Sequence, residues 1–255
     1  PALMISQKEV AGSKVLYARH KKKADRVGIY LVGGGMLKYP KPSQAKEIVK
    51  LARECDMDML LPYYPVLFTG ATLPDAYRMV YELYRETLNE YAPENICLMG
   101  GSSGGNLALG LVSYINAVGE GLPQPGRIYA GSPGTLLLTG EEKQLAEKQE
   151  KTDVIMSLPA LENIWEGMTG GKEVPDYMKY LQVGDYTGLK DVYLSFGGDE
   201  LFLAGAESIR KRLEEYGVHV TVEIGKDLYH SYAMLPLVKE AEEGYRNFVR
   251  YISGK

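Results

Sequence analysis

Short apolar runs alternate with longer segments of helical period along most of the chain. Val27 to Val32 reads as a buried strand ending at Gly33-Gly34-Gly35. Ser43 to Cys55 is helical, with Ala45, Ile48, Val49 and Ala52 on one side and Ser43 as a candidate N-cap. Met57 to Leu61 forms a short strand stopped by Pro62. Leu73 to Glu90 is a second helix, whose Tyr77, Val80, Tyr81, Tyr84 and Leu88 recur at a spacing suited to packing on a sheet. Ile96 to Met99 is a strand, and Ser103 to Val118 a helix with Leu107, Leu111 and Ile115 in line. Further strands are expected at Arg127 to Ala130, Val192 to Phe196 and His219 to Ile224. Helices are expected at Leu203 to Tyr216 and Leu235 to Ile252. This alternation specifies an α/β fold, a mostly parallel sheet with helices on both faces. With no Gly/Ser-rich linker, residues 1–255 read as one domain.

One stretch breaks the rhythm. Between Pro133 and Asp191 no strand is evident, only a charged helix near Glu141 to Lys151 and a shorter one around Leu158 to Trp165. Residues 134–190 therefore read as a helical excursion at the C-terminal side of a strand, where an α/β enzyme places a lid or pocket wall. The single tryptophan, Trp165, lies here with Ile164 and Met168.

Composition narrows the functions available. A chain of 255 residues with 29 basic and 33 acidic side chains carries a formal charge of -4, with no long block of either sign. Nucleic-acid binding is therefore unsupported. The run Lys21 to Lys23 reads as a solvated turn. No apolar stretch reaches the roughly 20 residues needed to span a bilayer, and no signal peptide is expected before the fold. Cys55 and Cys97 lack any metal or redox spacing and read as buried thiols, which suits a cytoplasmic location.

Gly100-Gly101-Ser102-Ser103-Gly104 follows a strand and opens a helix, the setting of a nucleophile elbow. A serine hydroxyl is a poor nucleophile at neutral pH. It needs an imidazole to take its proton and a carboxylate to hold the imidazole in the right tautomer. Of the three histidines, His20 lies before the first strong strand and His219 opens a late strand at the opposite sheet edge. His230 alone follows a strand into a loop on the edge that carries Ser102. Asp199 ends the Val192 to Phe196 strand through two glycines and is the expected acid, with Glu200 and Asp227 as rivals. The amides of Gly33, Gly34 and Gly35 and of Ser103 suit a developing oxyanion. The glycines lack the spacing of a dinucleotide or phosphate loop, and one well-placed histidine is too few for zinc. No cofactor and no metal is expected.

Several blocks together resemble the hormone-sensitive-lipase-like branch of the α/β-hydrolases. Gly100-Gly101-Ser102-Ser103-Gly104-Gly105-Asn106-Leu107-Ala108 is similar to that family's Gly-Asp-Ser-Ala-Gly-Gly-Asn-Leu-Ala. Tyr30-Leu31-Val32-Gly33-Gly34-Gly35 resembles its strand and His-Gly-Gly-Gly oxyanion motif. Tyr63-Tyr64-Pro65 with Asp75, Ser132-Pro133, Gly198-Asp199-Glu200-Leu201 and His230-Ser231-Tyr232 resemble further blocks. The resemblance implies Ser102 as nucleophile, His230 as base and Asp199 as its partner, with Gly33, Gly34 and Ser103 as oxyanion donors. Val32 stands where the family has histidine and Gly101 where it has aspartate, departures that bear on how the oxyanion loop is braced. Only 26 residues precede Val27, fewer than the family's cap and first strands require, so a more open mouth is expected.

Met36, Tyr39, Tyr64, Trp165, Leu201 and Tyr229 are the expected pocket neighbours. The implied activity is hydrolysis of small or short-acyl carboxylic esters through an acyl-enzyme. An amide or acyl-peptide hydrolase and a noncatalytic binder are the alternatives. The expected partner is a small-molecule ester, without membrane insertion. The apolar C-terminal helix can either cover the sheet or join a homodimer.

Overall fold

The computed structural model describes residues 2–255. Eight strands form one sheet in the order β1-β2-β4-β3-β5-β6-β7-β8. The strands are β1 (Leu3–Val10), β2 (Ser13–His20), β3 (Val27–Leu31), β4 (Asp58–Pro62), β5 (Ile96–Gly101), β6 (Arg127–Gly131), β7 (Asp191–Gly197) and β8 (His219–Gly225). β1 pairs with β2, and β2 with β4, antiparallel; every pairing from β4 to β8 is parallel. The β3, β4 and β5 side chains are buried throughout, as expected of strands covered on both faces.

The covering helices are α1 (Pro42–Cys55), α2 (Leu73–Leu88), α3 (Ser103–Val118), α7 (Ala206–Glu215) and α8 (Glu242–Ser253). α1 packs with α8, and α2 with α3. The α/β architecture read from the pattern is the one observed, with three differences. First, β1 and β2 were not foreseen. β1 is almost wholly exposed, so it lacks the apolar face that would have marked it. Second, α1 begins at Pro42 with Lys41, not Ser43, as N-cap, because proline suits the first helical position, where its missing N–H costs nothing. Third, Leu235 to Ala241 is not part of α8. Pro236 cannot continue a helix there, and only a single 3-10 turn at Lys239–Ala241 precedes Glu242. α8 buries Phe248 and Ile252 and covers the sheet.

The excursion carries α4 (Gly140–Gln149), α5 (Leu158–Thr169) and the short α6 (Asp176–Lys179). Its charged helix is anchored by a buried acid: Glu142 accepts hydrogen bonds from the Leu138 N–H at 2.6 Å and the Gln182 amide at 3.0 Å. Asp153 pins the segment to the end of β7. One of its oxygens takes the N–H groups of Ile155 and Met156, and the other takes that of Leu201 at 2.8 Å. The lid is thus tied to the sheet edge on which the candidate residues lie.

Close backbone approach fixes that edge. A Cβ on Gly104 would collide with the Leu31 and Val32 carbonyls, so α3 can sit against β3 only with glycine there. Gly104→Ala is expected to destabilise the fold by about 3 kcal/mol or more, since neither backbone segment can move aside. Thermal unfolding should register this as a fall of roughly 6 °C or more; an unchanged midpoint would mean that the two elements are not so closely docked.

Candidate active site

Ser102 stands at the junction of β5 and α3 with φ 54 and ψ -123, a conformation an L residue rarely adopts. The surrounding backbone holds it there. Its N–H donates to the Gly131 carbonyl at 2.9 Å, and its own carbonyl accepts from Gly134 at 2.8 Å and Asn106 at 3.0 Å. Asn106 is fully buried and ties this turn to the excursion, its amide donating to the carbonyls of Gly134 and Met178, both at 2.9 Å. Tyr77 completes the set by donating to the Asn106 side-chain oxygen at 2.7 Å.

His230 lies in the loop after β8, on the same sheet edge as Ser102, and both line one cavity. Its Nδ1 is 2.6 Å from Glu200 Oε2. Its Nε2 is buried and makes no hydrogen bond among the described residues. The ring is thus held on one nitrogen and free on the other, and Phe202 packs beside it with centroids 5.0 Å apart.

The carboxylate beside His230 is therefore Glu200, not Asp199. After β7 the chain turns so that the Asp199 N–H donates to the Leu228 carbonyl at 3.0 Å, leaving its side chain half-buried and without a hydrogen bond among the described residues. Glu200, one residue on, is fully buried. Its longer side chain reaches back over the turn to accept the Gly197 N–H at 2.7 Å on Oε1. The Ser132 hydroxyl donates to the same oxygen at 2.6 Å. That hydroxyl also accepts the Ser231 N–H at 2.8 Å, linking the acid to the histidine loop a second time. The Ser132 role was not read from the sequence. Asp227 is exposed and takes no part.

The loop after β3 runs beside the serine. A Cβ on Gly33 would lie 2.7 Å from the Gly101 carbonyl oxygen and 3.1 Å from Ser102 Cβ, so only glycine brings that backbone so close. Gly34 and Gly35 both have positive φ, at 104 and 64. Among the described residues the Gly33 and Gly34 N–H groups make no backbone hydrogen bond, and the Ser103 N–H opens α3 as an unpaired helix donor. Tyr64 braces the loop from beneath, donating to the Val32 carbonyl at 2.5 Å. Burial raises the Tyr64 hydroxyl well above the ordinary tyrosine range, so it keeps the proton it donates.

The cavity measures about 610 Å³. Tyr39 and Trp165 line it, as expected. Met36, Tyr64 and Leu201 do not, being buried in the core, and Tyr229 instead uses its hydroxyl to tie the Leu235 carbonyl to the Leu237 N–H, both at 2.6 Å. Leu161, Ile164 and Met168 of α5 join Trp165 to form an apolar wall. Ile164 packs on the glycine loop after β3, 3.3 Å from where a Gly35 Cβ would sit.

Other reactive groups lie elsewhere. His20 and Asp58 form a buried pair, Nδ1 to Oδ1 3.0 Å, at the opposite sheet edge, with Tyr91 donating to the other Asp58 oxygen. His219 is exposed beside Asp191. Burial pushes the Cys55 thiol up to about 11 and the Cys97 thiol to about 12, so neither is a thiolate at neutral pH. Asp75 caps α2 through the Thr72 N–H at 2.9 Å, a hydrogen bond that lowers its carboxyl pKa. Among the described residues no group of three or more ligand side chains could hold a metal, and no helix is long and apolar enough to cross a membrane.

A family model described as the alpha/beta hydrolase fold matches residues 28–234. The chain is 29% identical over 242 residues to Esterase LipU of Mycobacterium tuberculosis, covering 89% of this chain and 77% of the relative. It is 23% identical over 236 residues to an esterase of Acinetobacter venetianus, covering 92% and 76%. Among solved structures, an esterase from the bacterial hormone-sensitive lipase family superposes with a TM-score of 0.86 at 22% identity, covering 99% of this chain and 84% of that one. An esterase/lipase from an uncultured bacterium gives a TM-score of 0.82 at 20% identity, covering 99% and 86%. The matched span contains β4 to β8, all of β3 but its first residue, the serine turn, the glycine loop and the Glu200–His230 pair, and the chain belongs to the α/β-hydrolase superfamily.

Proposed function

We propose that this α/β-hydrolase is a serine esterase acting on small carboxylic esters. The observation that carries the reading is the polarity of His230: Nδ1 is bound to a buried carboxylate and Nε2 is free, in the cavity that also holds Ser102. With Glu200 accepting at Nδ1, the neutral ring carries its proton on that nitrogen and presents a basic lone pair at Nε2.

Chemistry follows from that tautomer. Ser102 Oγ attacks the ester carbonyl while His230 Nε2 takes its proton, and Glu200 stabilises the imidazolium that forms. The oxyanion is received by the N–H groups of Gly33, Gly34 and Ser103, fixed dipoles that need no reorganisation. The loss of one such donor typically costs about 3 kcal/mol of transition-state stabilisation. His230 then protonates the leaving alcohol, and the acyl group remains on Ser102. A water molecule, deprotonated by the same Nε2, attacks the acyl-enzyme and releases the acid. The apolar α5 wall suits a short hydrocarbon portion of the substrate.

A fluorophosphonate probe is expected to label the protein stoichiometrically at Ser102, with labelling abolished in Ser102→Ala and slowed at least about 100-fold in His230→Ala. Mass spectrometry of the labelled peptide reads this directly; folded protein that stays unlabelled would remove the mechanism. In a series of 4-nitrophenyl esters, kcat/KM is expected to be higher for acetyl and butyryl than for octanoyl. The reverse order would contradict the short-acyl assignment.

A further inference from the structure

The cavity over Ser102 has two unlike sides. α5 contributes Leu161, Ile164, Trp165 and Met168, and this side is apolar. The other side is built by the segment that leaves the oxyanion glycines and enters α1, and it brings Lys38, Lys41 and Lys50 to the same cavity. Glu47 is the one acidic residue in the lining.

That acid is engaged with Lys50 through Tyr245, away from Lys38 and Lys41. Glu47 accepts the Tyr245 hydroxyl at 2.8 Å, and Tyr245 in turn accepts from Lys50 at 2.7 Å, so Glu47 and Lys50 belong to one network. Lys50 also has Glu54 at 3.9 Å. Lys38 and Lys41 form no salt bridge among the described residues, although the chain carries a formal charge of -4. A cleft with low-dielectric walls focuses the field of such charges on what enters it. Positive charge left uncompensated at the mouth of a catalytic cavity, in a protein of net negative charge, selects for a negative ligand.

We infer that the preferred ester carries a carboxylate, held by Lys38 and Lys41 while its apolar portion lies against α5. This rests on the esterase reading and names the substrate class for it. It also gives a role to the loop between Gly35 and Pro42, which the acyl-transfer steps do not otherwise use. The two lysines are exposed, so each contact is worth a few-fold in kcat/KM and weakens with salt.

The test uses two pairs of substrates matched in size. On the alcohol side, 4-acetoxybenzoate is compared with 4-acetoxybenzamide. On the acyl side, the 4-nitrophenyl monoester of glutaric acid is compared with its monoamide. In at least one pair the wild-type protein is expected to favour the anionic member about fivefold or more in kcat/KM at low salt. The preference should collapse at about 1 M salt, where charges are screened within roughly 3 Å. It should fall toward unity in the Lys38→Gln/Lys41→Gln double variant, the ratio within each protein cancelling any loss common to both substrates. Equal or better turnover of the neutral member in both pairs overturns the inference and leaves the esterase reading standing. A preference that survives the double substitution overturns it equally. No turnover of any of the four esters would count against the esterase reading itself.

Discussion

A single buried carboxylate organises the sheet edge that carries Ser102 and His230. Glu200 receives the Ser132 hydroxyl and the Gly197 N–H on one oxygen and the His230 ring on the other. These groups come from the ends of β6 and β7 and from the loop after β8, so one side chain draws three neighbouring connections together. A carboxylate wholly removed from water is costly unless its acceptor positions are filled. Here the penalty is offset by three donors, and removal of any of them would leave charge or polarity buried without a partner. The same interaction that stabilises the edge fixes the imidazole's orientation. Stability and chemistry therefore rest on the same atoms.

The serine side of the site depends on a different constraint, the close approach of backbones. Ser102 occupies a strained conformation that costs on the order of 1–3 kcal/mol. Three backbone hydrogen bonds, one donated to the Gly131 carbonyl and two accepted from the Gly134 and Asn106 N–H groups, surround it and oppose any relaxation. Gly33 and Gly104 let β3, the glycine loop after it and α3 meet where a side chain could not fit. Tyr64 holds the Val32 carbonyl from the core, so the loop is braced even though valine stands in place of the histidine found in related motifs. Ser102 is thus placed by main chain and His230 by a side-chain network, and both line the same cavity.

Much of this was legible in the sequence, for identifiable reasons. Strands buried on both faces announce themselves as continuous apolar runs, and the glycines that follow them mark the edge where the chain must turn tightly. Ser102 and His230 were readable because the topology of a parallel sheet assigns a loop to an edge once its strand is known. The carboxylate that meets His230 lies one residue beyond the expected Asp199. Spacing alone favours Asp199, the first carboxylate after Gly197-Gly198, but the turn spends the Asp199 N–H on the Leu228 carbonyl and the extra methylene lets Glu200 reach back. The run Leu201-Phe202 after Glu200 was the available signal, since it carries the chain into the core. An exposed strand at the sheet edge such as β1 has little hydrophobic pattern to read, and β2 buries Val15, Tyr17, Ala18 and His20, a mixed set of apolar and polar side chains. Met36, Tyr64, Leu201 and Tyr229 were misjudged as pocket residues because adjacence in sequence to a motif says nothing about which way a side chain faces.

The central claim is that Glu200, acting through His230, makes Ser102 a nucleophile. Steady-state hydrolysis of 4-nitrophenyl acetate by Glu200→Gln and Asp199→Asn, each checked for retained folding by circular dichroism, addresses it most directly. Glu200→Gln should lose at least about 100-fold in kcat, because an amide neither fixes the tautomer nor stabilises the imidazolium. Asp199→Asn should stay within about threefold of wild type, as expected for a half-buried side chain without a partner. Full activity in Glu200→Gln, or collapse in Asp199→Asn alone, would contradict the account.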